Sequence, residues 1–90
     1  MNIDYENLER DIGDGTLRLH LEEELIVGFR QIQQTGERLP VPSHYAAQIA
    51  EIINRNATLS STMQFELYQE VLEAVESARV AVLGEPMPPS

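Results

Sequence analysis

The chain contains no cysteine and no lysine. The first absence excludes a disulfide framework, a thiolate nucleophile and a zinc site of the cysteine type, and it suits a reducing compartment. The second leaves all six basic side chains as arginines, set against fifteen acids, for a formal charge of −9. No apolar run approaches the roughly 20 residues that a membrane span needs. The opening Met1-Asn-Ile-Asp-Tyr-Glu6 carries acid where a secretory signal carries base, so a soluble, cytoplasmic protein is expected. There is no glycine-rich phosphate loop ahead of a helix and no nucleophile placed beside a base. Binding is therefore expected rather than catalysis, with neither metal nor cofactor.

What is present is acid, unevenly spread. Residues 1–24 hold eight carboxylates (Asp4, Glu6, Glu9, Asp11, Asp14, Glu22, Glu23 and Glu24) against Arg10 and Arg18, a contribution of −6. Such a field repels phosphate backbones and attracts basic surfaces. At 90 residues there is room for one domain, whose modest core makes self-association a common way to bury more surface. One helical domain over 1–83 is expected, including a short N-terminal helix, followed by a flexible tail at 84–90 where three prolines fall among seven residues.

Helical periodicity accounts for most of the rest. Leu21, Leu25, Phe29 and Ile32 share a face, predicting a helix over about 22–35 with Glu22, Glu23 and Glu24 in its first turn, where the helix dipole favours acid. The connector Gln34-Thr-Gly-Glu-Arg-Leu-Pro-Val-Pro-Ser43 supplies a glycine to end that helix and a serine to cap the next, expected at 43–56. Ser61 with Gln64 three residues on reads as a capping box for a third helix over 61–83. On that helix Met63, Leu67, Val71, Ala74, Val75, Ala78 and Val82 form a stripe that Phe65, Tyr68 and Leu72 widen to about half the circumference. A surface helix needs a narrower stripe, so this one is either central to the fold or shared with a second subunit. Phe65, Tyr68, Leu72 and Val75 are the candidate interface of a homo-oligomer. Across the helix Glu66, Glu70 and Glu73 make an acidic ridge with no basic residue at helical pairing distance.

Asp11-Ile-Gly-Asp-Gly-Thr16 and the residues after it are less decided. Asp11 and Glu22 occupy the outer places of a twelve-residue calcium loop, but Gly13, Gly15 and Thr16 stand where oxygen ligands and the turn glycine belong, so a turn is the better reading. A helix beginning at Leu17 would put Arg18 near the centre of its apolar face. As a strand, 16–21 alternates cleanly, with Leu17, Leu19 and Leu21 on one side and Thr16, Arg18 and His20 on the other. His20 with Glu23 or Glu24 is weak evidence for a metal, and His44 is expected in an exposed first turn. Asn56-Ala-Thr58 matches a glycosylation acceptor, a chance match if the chain stays unexported as expected.

Strand, helix, glycine-containing connector and Ser-capped helix over about 16–56 resemble the ribbon-helix-helix proteins. In that family two strands pair across a dimer and enter the DNA major groove. The resemblance implies that Thr16, Arg18 and His20 read bases and that Ser43 holds phosphate at a helix N-terminus. Some members act as antitoxins and are acidic overall.

Three functional classes follow. The leading one is an acidic helical interaction protein, an inhibitor, adaptor or antitoxin, that presents Glu66, Glu70, Glu73, Glu22, Glu23 and Glu24 to a basic or nucleic-acid-binding protein. The second is a ribbon-helix-helix DNA-binding dimer of antitoxin type. The third is a small-molecule binder using an apolar pocket between subunits.

Overall fold

The computed structural model describes residues 3–84. A single 3₁₀ turn, Tyr5–Asn7, leads into α1 (Leu8–Asp14), and α2 (Thr16–Gln34), α3 (Pro42–Arg55) and α4 (Ser61–Leu83) follow. There is no strand among the described residues. The expected tail lies outside them, apart from Gly84.

The longest helix is the axis of the fold. At 23 residues α4 is roughly 35 Å long, and α1, α2 and α3 all pack against it. Leu67, Val71, Ala74, Val75, Ala78 and Val82 of α4 are buried to the last few square ångströms. Two alanines in that stripe let neighbouring helices approach closely. The central stripe is thus buried inside the chain's own fold, whereas Phe65, which widens it, is exposed and Tyr68 and Leu72 are half-buried. Val75 is accordingly a core residue and not part of a free interface, which corrects its assignment.

The strand expected at 16–21 is the first two turns of α2. Leu17, Leu21, Leu25 and Phe29, spaced by four, form one continuous buried stripe. Leu19 falls off that stripe and is 55% exposed. The alternation of leucines over 17–21 was thus an accident of two of them being core and one being surface. Glu22, Glu23 and Glu24 consequently stand in mid-helix, and the dipole argument for them fails.

Between α1 and α2 the chain bends at a single residue. Gly15 has φ +83, a left-handed conformation that a side chain resists, and it serves as C-cap of one helix and N-cap of the next. Asp14 Oδ1 accepts the Thr16 N–H at 2.9 Å, closing the elbow. That is the turn expected at 11–15, compressed to one residue, since Asp11 and Ile12 are helical. Asp11 and Glu22 therefore lie on two different helices and not in one calcium loop.

Two caps shift by one or two positions. Val41 is the N-cap of α3 and Pro42 its first residue, where the missing N–H costs nothing. Ser43 is exposed in the first turn and does not cap. Ser60, not Ser61, caps α4: its Oγ accepts the Met63 N–H at 3.2 Å, while the Gln64 amide donates back to the Leu59 carbonyl at 3.0 Å. The glycine expected to end α2 does so, Gly36 taking φ +80 with its N–H bonded to the Gln33 carbonyl.

Candidate functional site

Arg18 is the side chain around which the sequence-derived candidates come together. Near the start of α2 it leans on the flank of the buried stripe, 34% exposed. From there its Nε lies 3.8 Å from Glu70 Oε2 and 3.7 Å from Glu73 Oε2. The charge that made a helix look implausible is thus met by two carboxylates more than fifty residues away. The acidic ridge, which has no basic partner on its own helix, receives one from α2.

The three ridge glutamates are not equivalent. Glu66 is exposed and Glu73 is 59% exposed, whereas Glu70 is only 23% exposed. Glu70 Oε2 is buried and accepts no hydrogen bond. At 3.8 Å the Arg18 contact is an ion pair beyond hydrogen-bond range. Burial raises the Glu70 pKa above 4.5, Glu73 and Glu66 add to the rise, and Arg18 opposes it. Glu22 lies four residues beyond Arg18, on the same flank of α2, and is half-buried.

Glu23 and Glu24 are exposed. Glu24 turns toward α1, where a shallow hollow is lined by Asp4, Arg10, Asp11, Thr16, His20 and Glu24. The six proposed partner-binding glutamates are therefore divided: Glu70 and Glu73 pair with Arg18, Glu66 acts on Glu70 and Glu22 lies one turn from Arg18, whereas Glu23 and Glu24 are exposed and stand apart.

The base-reading row is not formed. On a helix Thr16, Arg18 and His20 point in successive directions about 200° apart. Thr16 is tied to Asp14 and Arg18 to the ridge, and only His20 stands exposed. His44 is exposed in the first turn of α3. Without the strand, the ribbon-helix-helix assignment of Thr16, Arg18, His20 and Ser43 is withdrawn.

Two exposed apolar side chains on α4 extend the site. Val80 is 71% exposed and Phe65 64%, the highest values among the large hydrophobic residues described. Both fall on the outer half of α4, which also bears the exposed Glu66, Glu73 and Glu76. Phe65 and the half-buried Tyr68 also line an open groove of about 620 Å³ between α3 and α4, floored by Ala47 and Ala50. Leu72 is half-buried against the core. Glu76 and Val80 were missed in the sequence. Their signal was present in the departure of Val80 from the buried stripe by about 160°, which an apolar residue next to Ala78 and Val82 easily hides.

No helix among the described residues is long and apolar enough to cross a membrane. The chain matches no protein-family model, and comparison with curated proteins and with solved structures finds no match.

Proposed function

We propose that this chain is a protein-binding module, not an enzyme, that engages a basic partner through the outer face of α4 and acts as an inhibitor or adaptor by occupying the partner's basic surface. One observation carries the reading: Phe65 and Val80, the most exposed large apolar side chains, share a half-helix with Glu66, Glu73 and Glu76. An apolar anchor beside carboxylates complements an amphipathic basic segment, in which aliphatic contact supplies affinity and charge supplies orientation and encounter rate. Phe65 stands beside Glu66 near the start of α4 and Val80 lies one turn beyond Glu76 near its end, so each apolar side chain has a carboxylate within a turn. The net charge of −9 favours the same class of partner, including a protein whose nucleic-acid site is basic.

The test is a comparison of variants. Glu66→Lys with Glu76→Lys, and separately Phe65→Ser, should leave the melting temperature nearly unchanged, because all three side chains are exposed. Proteins captured from the host extract by the wild type, identified by mass spectrometry, should be lost with both variants. Retention of the same proteins by both variants would remove this face from the reading.

A further inference from the structure

We propose that Glu70 works as a proton-operated clasp between α2 and α4, with Arg18 shared by Glu70 and Glu73 while both are ionised and passing to Glu73 alone when Glu70 takes up a proton. The geometry sets three carboxylates on two turns of one helix against a single cation. Glu66, Glu70 and Glu73 stand at i, i+4 and i+7, close enough for like charges to repel. Arg18 lies almost equidistant from the last two, at 3.8 and 3.7 Å. Glu73 is well solvated, so its charge costs little. Glu70 presents a buried oxygen that no described hydrogen-bond donor of the chain satisfies, and a carboxylate in that position is the one whose neutral form the fold prefers.

The groups acting on Glu70 are Glu73 and Glu66 from α4 and Arg18 from α2. Among the described residues no charged group of α1 or α3, which also pack on α4, acts on it. Burial is the largest influence and raises its pKa, the two glutamates act in the same direction, and Arg18 pulls against them. A carboxyl whose folded pKa lies above its unfolded value destabilises the fold at all pH values above that folded pKa, and the cost disappears as pH falls through it toward 4.5. Mild acidification should therefore tighten the contact between α2 and α4. At the same time the ridge falls from three carboxylates against one guanidinium, net −2, to net −1. If the basic-partner reading holds, the partner is released as the fold firms.

Relief of general repulsion in a chain of charge −9 also stabilises in acid, so the experiment needs a matched control. Glu70→Gln and Glu66→Gln remove the same charge one turn apart. Carboxyl carbon NMR titration of the wild-type chain should place the Glu70 midpoint above that of Glu66, and Arg18→Met should move it higher still. Glu70→Gln should melt a few degrees above Glu66→Gln at pH 7 and gain less on acidification. A Glu70 midpoint coincident with that of Glu66, or identical melting profiles for the two glutamine variants, would overturn the clasp. Should Glu70→Gln fail to fold, the wild-type titration still decides. Capture of partners at pH 7 and at pH 5 is scored separately: failure to capture anything at either pH defeats the binding reading and leaves the titration result standing.

Discussion

The ring of Tyr45, in the first turn of α3, lies 5.9 Å from the ring of Phe29, in the second half of α2, at an interplanar angle of 58°. Phe29 is buried and Tyr45 half-buried. The pair links two helices that otherwise meet mainly through α4. Tilted rings at this separation contribute about 0.5–1.5 kcal/mol beyond the area they bury. Phe29→Ala should cost about 3–5 kcal/mol, because it empties a fully packed core position. Tyr45→Leu should cost only about the value of the ring pair. Urea melts compare the two, and an unchanged Tyr45→Leu would show that Phe29 is held by α4 alone.

Two glycines should respond to alanine with opposite sign. Gly28 is inside α2, and a methyl group there would meet nothing within 4 Å. Replacement should stabilise by about 0.5–1 kcal/mol through helix propensity and a less disordered unfolded chain. Gly15, with φ +83, is strained by any side chain, and Gly15→Ala should cost about 1–2 kcal/mol. Thermal melts of both variants read the sign directly. A stabilised Gly15→Ala would mean that α1 and α2 run on as one helix.

How far the fold could be read from the sequence depended on where the deciding partner lay. The bounds expected for the last helix, 61–83, agree with α4, and those expected for the middle helix, 43–56, differ from α3 by one residue at each end. Both rest on local periodicity and local punctuation by proline, serine and glycine. The start of α2 was missed because the evidence against a helix was local and the evidence for it was not. Arg18 near an apolar face looks like a fault until Glu70 and Glu73 are brought against it, and a pairing across more than fifty residues leaves no trace in local pattern. The spacing of Leu17, Leu21, Leu25 and Phe29 was visible throughout, and it gave the correct answer. The ridge was legible as a row of carboxylates, but the partial burial of Glu70 belongs to tertiary packing.

The cap of α4 separates two adjacent serines. Ser60 Oγ accepts the Met63 N–H, which satisfies one of the orphan donors of the first turn, whereas Ser61 is exposed and already helical. Ser60→Ala should therefore cost roughly 1 kcal/mol. Ser61→Ala should fall within about 0.5 kcal/mol of the wild type. Amide hydrogen exchange at Met63 supplies an independent readout, since only the first variant should speed it. The reverse ranking would restore the capping box at Ser61.

Binding to duplex DNA is the outcome that the helical start of α2 argues against most directly. Sequence reading in the major groove needs side chains aligned on one exposed edge, backed by cations that hold phosphate. Here Arg18 points away from Thr16 and His20 and is engaged by Glu70 and Glu73, and Ser43 sits on a separate helix in a chain of charge −9. At about 50 mM salt, where phosphate contacts are strongest, a gel shift against a pool of random duplexes should show no retarded band. Arg18→Ala should leave that result unchanged and instead lower the melting temperature, because it removes the cation that faces the buried oxygen of Glu70. A retarded band with the wild type that disappears with Arg18→Ala would mean that the first turns of α2 adopt another structure on DNA, and the assignment of Arg18 to the clasp would fall with it.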